Sequence, residues 1–328
     1  MLDLATVAEG STPARALAET TELARAAERL GYRRFWVAEH HGMPAVASSA
    51  PAVVVAHLAA ATATIRVGAG GVMLPNHSPL VVAEQFATLE ALHPARIDLG
   101  LGRAPGTDRL TARALRRSAD LGADRFPDDV VEVIGYLDGT ASHPRAVPGA
   151  GYRPEIWLLG SSLFSAGLAG LLGLPFSFAH HFSPVHTEPA LTRYREVFRP
   201  SAVLAEPRAM VAVAVVCAAS DDEARWLAGP AALSALQLRT SRLGPLPSPE
   251  TAAAYRYTDA ERDLVESVTA THVVGDPSTV RRGLEELVAR TGADELMVTT
   301  RVHGPADRVR SFELLARAWS DEAPPTGG

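Results

Sequence analysis

The stretch Ile65-Arg-Val-Gly-Ala-Gly-Gly-Val-Met-Leu-Pro-Asn-His-Ser-Pro79, continued through Leu80–Leu92 to Arg96-Ile-Asp-Leu-Gly100, contains one complete unit of the fold. Ile65–Ala69 and Arg96–Gly100 are short runs without regular alternation, as expected of parallel strands buried on both faces. Between them, Ser78-Pro79 opens an amphipathic helix. Proline suits the first helical position because its missing N–H would have no partner there, and a preceding Ser, Thr or Asp can cap the exposed amides. The same helix-opening signature recurs at Thr12-Pro13, Ala50-Pro51, Ser183-Pro184, Asp276-Pro277 and Gly304-Pro305. Further strand runs are read at Leu2–Val7, Arg33–Ala38, Glu155–Leu159, Pro175–Ala179, Ala209–Ala218 and Glu295–Thr300.

Eight strands, each leading into a helix, predict an α/β fold of the (β/α)8 TIM-barrel type. A doubly wound sheet would place a glycine-rich dinucleotide turn after the first strand, but Val7-Ala-Glu-Gly-Ser-Thr-Pro13 has one glycine. Residues 103–150 and 237–271 lack a strand pattern and read as insertions in a single domain spanning 1–320. The Pro/Gly-rich stretch 321–328 reads as a frayed tail.

Composition narrows the function. A net charge of −6 gives no electrostatic footprint for nucleic acid or an anionic membrane. The single cysteine, Cys217, excludes an internal disulfide and a cysteine-rich zinc module. All 31 basic residues are arginine, which excludes a Schiff-base lysine and a P-loop lysine. Neither a signal peptide nor a transmembrane run is read, so a cytoplasmic location is expected.

In such a barrel the active site lies at the C-terminal ends of the strands. There the sequence places Glu39-His40-His41, Gly70-Gly71-Val72-Met73-Leu74-Pro75-Asn76-His77, Gly102-Arg103, Gly160-Ser161-Ser162, His180-His181-Phe182 and Arg301-Val302-His303. Six of the eleven histidines fall on this rim, which favours a catalytic or binding mouth over scattered surface histidines. Adjacent histidines on a strand point to opposite sides, so each pair offers one ligand at most to a common site, and no metal is expected. Gly100-x-Gly102-x-x-x-Gly106 misses the dinucleotide spacing by one. Gly160-Ser161-Ser162 joins a strand to the helix Phe164–Leu172. It reads either as an anion site at a helix N-terminus or as an ordinary serine cap.

These blocks, in order, resemble the bacterial-luciferase-like flavin monooxygenases. The likeness is carried by Phe35-Trp-Val-Ala-Glu-His-His41, Val67-Gly-Ala-Gly-Gly-Val-Met-Leu-Pro-Asn-His77 and Ala83-Glu-Gln-Phe86. It continues through Arg96-Ile-Asp-Leu-Gly-Leu-Gly-Arg103, Leu159-Gly-Ser-Ser162 and Gly173-Leu-Pro-Phe-Ser-Phe-Ala-His-His-Phe182. The branch it most resembles is frequent among secondary-metabolism oxygenases, including those of antibiotic biosynthesis. The resemblance implies a barrel that binds reduced FMN, delivered by a separate flavin reductase, and uses O2 to oxygenate a small organic substrate. It assigns His40 as general base and Gly70-Gly71 as a non-proline cis peptide beneath the flavin ring, with Val72 beside it. It further assigns Arg103 as a flavin contact and Gly160, Ser161, Ser162 and Ser165 as the phosphate segment, and it implies a homodimer.

His41, His180, His181 and His303 are then candidates to orient substrate, and Phe35, Trp36, Phe178 and Phe182 to wall a dry cavity. Gly102 stands where the luciferases carry a cysteine, and 237–271 offers no counterpart of their long lid, so the resemblance extends to flavin chemistry and not to light emission. Two other readings stay open on the residues: an F420-dependent dehydrogenase on the same barrel, and an idle flavin-binding homologue.

Overall fold

The computed structural model describes residues 1–104, 109–115, 123–141 and 143–320. The tail 321–328 and Gly106 lie outside the described residues. The strands are β1 (Leu2–Asp3), β2 (Arg34–Val37), β3 (Arg66–Met73), β4 (Ile97–Gly102), β5 (Glu155–Gly160), β6 (Phe176–Phe178), β7 (Ala209–Cys217), β8 (Val273–Gly275) and β9 (Glu295–Thr299).

All ladders between these strands are parallel. β1 pairs with β2 and β9, β9 with β7, and β7 with β6, which closes eight strands into a barrel. β8 pairs with the far half of β7 alone and stays outside the ring. β1 is shorter than its apolar run because Ala5 adopts a φ of +48°, which breaks the ladder after Asp3.

The helix starts follow their capping chemistry. The Thr12 hydroxyl accepts from the Arg15 amide and the Asp276 carboxylate from the Thr279 amide, each just before a proline that begins the helix. Ser183-Pro184 instead opens a 3-10 turn, Pro184–His186, ahead of the helix Thr187–Glu196.

The side-chain period of two decides what each strand presents. On β2, Phe35 and Val37 pack outward against the helices, whereas Trp36, and Ala38 just past the strand, point into the barrel. On β7, Val211, Val213 and Val215 join the outer core, and Met210 and Ala212 the inner one.

The N-terminal end of the barrel is plugged by charge. Arg34 is 1% exposed and pairs with Asp98 (2.6 Å), Glu295 (2.7 Å) and Glu155 (3.4 Å). Arg66 adds a bond to Asp98 (2.5 Å), and Arg208 bonds Glu155 (3.0 Å) and Glu295 (3.2 Å). The indoles of Trp36 and Trp157 donate into this network, to Asp98 (2.7 Å) and Glu155 (2.8 Å). Their rings meet edge to face at 5.7 Å and roof the plug. Three guanidiniums against three carboxylates leave no net charge, the condition under which buried ions are tolerated.

Within 103–150, the helix Phe126–Asp138 buries Phe126, Val130 and Val133 and packs beside the helix Pro79–Leu92. It therefore serves as the barrel helix between β4 and β5. Between β7 and β9 the chain makes an excursion longer than 237–271. It runs through the helices Asp221–Arg239, Pro249–Ala254 and Asp259–Thr269 to β8, before the barrel helix Pro277–Thr291. Leu233, Leu236 and Ala252 give that excursion a small core of its own. Among the described residues, no helix is long and apolar enough to cross a membrane.

Candidate active site

The C-terminal ends of the strands surround a cavity of about 850 Å³, within the range usual for cofactor and substrate pockets. Trp36 and Met297 form part of its base, and residues from the strand ends and from the excursion its walls.

His40, one residue past the strand-end Glu39, lines the cavity. Its loop is fixed at both ends: the His40 amide donates to the Ser48 carbonyl (3.0 Å), and the Ser48 hydroxyl to the Ala38 carbonyl (2.5 Å). Beneath it Glu39 is fully buried. Its Oε1 accepts from His41 Nε2–H (2.9 Å) and His77 Nε2–H (2.8 Å), and its Oε2 from the Met73 amide (3.0 Å). Burial alone would raise its pKa, but the His77, His41 and Met73 bonds hold it below the ordinary carboxylate value. One carboxylate thus ties the loop after β2 to the loop after β3.

The Gly70-Gly71 peptide is cis, and the β3–β4 register shifts between Ala69 and Val72. A Cβ on Gly70 would come within 2.6 Å of the Trp36 ring, and one on Gly71 within 2.7 Å of the Gly100 carbonyl. Only glycines fit, and bare backbone faces the cavity. Val72 departs from its expected place, because the register shift turns its side chain into the outer core.

Arg103 lines the cavity with its guanidinium 4.3 Å from the Phe164 ring centroid. Phe164 sits in the first turn of the helix Leu163–Leu172, whose cap is Ser162. The Ser162 backbone has cap geometry (φ −150°, ψ 169°), yet its hydroxyl makes no capping bond. A Cβ on Gly160 would lie 2.5 Å from that of Ser165, so glycine there lets β5 abut the first helical turn. Gly160, Ser161, Ser162 and Ser165 all line the cavity.

The expected histidines divide. His181 lines the cavity, and its Nδ1–H donates to the Ala212 carbonyl (3.2 Å), leaving Nε2 as the unprotonated nitrogen. Burial pushes its pKa down to about 4. His180 turns away, as strand alternation requires, and its Nδ1–H donates to the Thr187 hydroxyl (2.7 Å). His41 is spent on Glu39, and His303 Nε2–H donates to the Glu9 carbonyl (3.1 Å). His41, His180 and His303 are therefore corrected from cavity-facing to supporting positions. Phe35 and Phe178 likewise lie in the outer core, whereas Trp36 and Phe182 do line the cavity. Cys217 is buried in the outer core, where burial pushes its thiol up to about 11, and it is Gly102 that borders the cavity.

Sequence reasoning missed Arg301, Ser234 and His272, which also line the wall. Arg301 stands at a strand end two residues before His303, where nothing in the local pattern tells which of the two side chains faces inward. Ser234 and His272 belong to the excursion, whose folding over the mouth leaves no local pattern.

The residues fit a flavin mononucleotide. Bare backbone at Gly70-Gly71 leaves room for a flat ring. Helix amides, uncommitted serine hydroxyls and Arg103 supply an anion site without a lysine.

The sequence model of the luciferase-like monooxygenases matches residues 1–295. The chain belongs to that family. It is 46% identical over 316 residues to a luciferase-like monooxygenase of Escherichia coli K12, covering 96% of this chain and 94% of that protein. It is 48% identical over 324 residues to the Bacillus subtilis protein YvbT, covering 98% and 96%. The crystal structure of apo-MsnO8 superposes with a TM-score of 0.91 at 39% identity, covering 97% of each chain. This luciferase-like chain thus shares both sequence and barrel with its relatives over nearly its full length.

Proposed function

We propose that this luciferase-like monooxygenase is the oxygenating component of a two-component system, using reduced FMN from a separate reductase and O2 to oxygenate a small organic substrate. One observation carries the reading: His40, Gly70-Gly71, Arg103 and Ser161-Ser162, from the ends of four successive strands, line one cavity. Gly70 and Gly71 would flank the ring, and Ser161, Ser162, Ser165 and Arg103 would hold the phosphate. When bound, reduced FMN supplies the electrons that activate oxygen.

The chain's own work is to bind, dry and move a proton. The apolar lower wall, with Trp36 and Met297, excludes water, which protects reactive species from hydrolysis. His40, whose amide is held by the Ser48 carbonyl, moves the proton at its ring nitrogen. A homodimer belongs to the same proposal, and analytical ultracentrifugation tests it.

The deciding experiment titrates the protein anaerobically with reduced FMN and with reduced F420, then adds oxygen. Tight binding of FMN, and reoxidation on a time course distinct from free flavin, are expected. His40→Ala should bind FMN equally well but cut substrate-coupled turnover by roughly 10²–10⁴-fold. Preference for F420, or reoxidation at the free-flavin rate in the wild type, overturns the reading.

A further inference from the structure

Arg301, just past β9, lines the cavity and has no carboxylate within ion-pair distance among the described residues. Its Nη2–H donates to the Ser234 hydroxyl (3.1 Å), and its Nε is buried without a hydrogen-bond partner. A half-buried guanidinium held by one neutral hydroxyl, with its Nε fully buried, is costly unless something else supplies negative charge. Among the described residues, the cavity lining carries three arginines, Arg103, Arg239 and Arg301, against one acid, Asp124. Arg239 and Asp124 are exposed at the mouth, so neither neutralises Arg301 inside.

Two histidines share this wall. His181 presents Nε2 as an acceptor, and the His272 ring is hydrogen-bonded to the His181 backbone. Burial lowers the pKa of both, and the Arg301 charge lowers them further, so both rings are neutral at pH 7. The phosphate segment after β5 is separated from β9 around the barrel by β6 and β7, so Arg301 and the Ser161-Ser162 turn are different anion positions. The surface between includes the apolar Ala212, Ala214, Val216 and Val274.

We propose that Arg301, positioned by Ser234 beside His272, binds the carboxylate of the substrate, which makes the substrate class a compact apolar carboxylic acid. The proposal rests on the cavity being the active site of the preceding section. The carboxylate takes up the Nη–H donors that the guanidinium turns to the cavity, as a charge-assisted pair. Its apolar body lies along the β7 and β8 side chains, within the same cavity as His40.

Calorimetric titration of the protein at neutral pH with octanoate, octanol and inorganic phosphate tests this without flavin. Octanoate should bind roughly ten- to a hundredfold more tightly than octanol. Arg301→Gln should reduce octanoate to the level of octanol while leaving FMN binding, read by fluorescence quenching, unchanged. In the wild type, octanoate should also raise the His272 pKa, followed by its imidazole proton resonances, because a bound anion offsets the field of Arg301. That measurement stands even where the variant fails to fold.

Equal binding of octanoate and octanol, or an unmoved His272, overturns the proposal. So does preferential binding of phosphate, or loss of FMN rather than octanoate in Arg301→Gln, since Arg301 would then serve the flavin. Failure of the wild type to bind FMN overturns the functional reading instead and leaves the octanoate result to be judged by itself.

Discussion

At the floor of the barrel Arg34, Arg66 and Arg208 face Asp98, Glu155 and Glu295, whereas at the mouth Arg103 rests on the Phe164 ring and Arg301 on a serine hydroxyl. Both regions concentrate arginine inside a barrel, with opposite accounting. The floor is electrically closed and satisfied by the chain itself, so its arginines serve the fold. The mouth carries positive charge that the described chain leaves uncompensated, which is the charge the proposed FMN and carboxylate positions would use. The contrast separates structural from functional cations where residue type alone cannot.

Substitution on the two sides should therefore separate stability from binding. The largest effect is expected at the floor. Asp98→Ala strands Arg34, Arg66 and the Trp36 indole and should cost about 3–5 kcal/mol in urea unfolding. A loss below about 1 kcal/mol would show that the plug does not hold the barrel.

Next comes acid sensitivity of the mouth. His181 has a pKa of about 4 in the fold against 6.5 unfolded, so below 6.5 the unfolded chain binds the extra proton. Stability from this group is complete above 6.5 and falls as pH drops toward 4, by about 1.4 kcal/mol per unit or about 3 kcal/mol in all. Urea midpoints across that window should flatten in His181→Gln; an unchanged slope would place the acid sensitivity elsewhere.

Arg103→Gln should weaken FMN binding roughly ten- to a hundredfold, while costing about 1 kcal/mol or less of stability from the lost contact with Phe164. The reverse pattern would move Arg103 to the structural class. The smallest effect is expected at Ser162→Ala. Because that hydroxyl makes no capping bond, the usual cost of about 1 kcal/mol for a lost cap should be absent. FMN affinity, read by fluorescence, should still fall several-fold, by less than the roughly tenfold or greater loss at Arg103. A stability loss with intact FMN affinity would restore the plain cap.

The barrel was legible because buried parallel strands write themselves as unbroken apolar runs and the helices open on proline. β8 was not legible because three residues, the half-buried Val273 and Val274 and the buried Gly275, carry no periodic signal and pair outside the ring. The glycines and serines of the cavity were legible through the family resemblance, and the structure supplies the steric reason for the glycines. A Cβ at Gly70 or Gly160 has nowhere to go, and strand-to-helix turns of this kind are short and local. The histidines were half legible: the rim held them as expected, but which of two adjacent rings faces inward depends on the backbone twist at the strand end. That is why His40 and His181 reach the cavity, while His41 and His180 bond to Glu39 and Thr187. Arg301 with Ser234 and His272 was not legible, since an excursion must fold back over the mouth to bring them together.

The Glu39 carboxylate has a kinetic meaning beyond its geometry. Because His41, His77 and the Met73 amide all terminate on it, loosening the loop after β3 alone would leave the buried anion with His41 in place of three partners. Breathing of this side of the mouth should then be a concerted event, expected to show a single relaxation rate. Molecules passing over it would meet a gate that swings as one leaf rather than two.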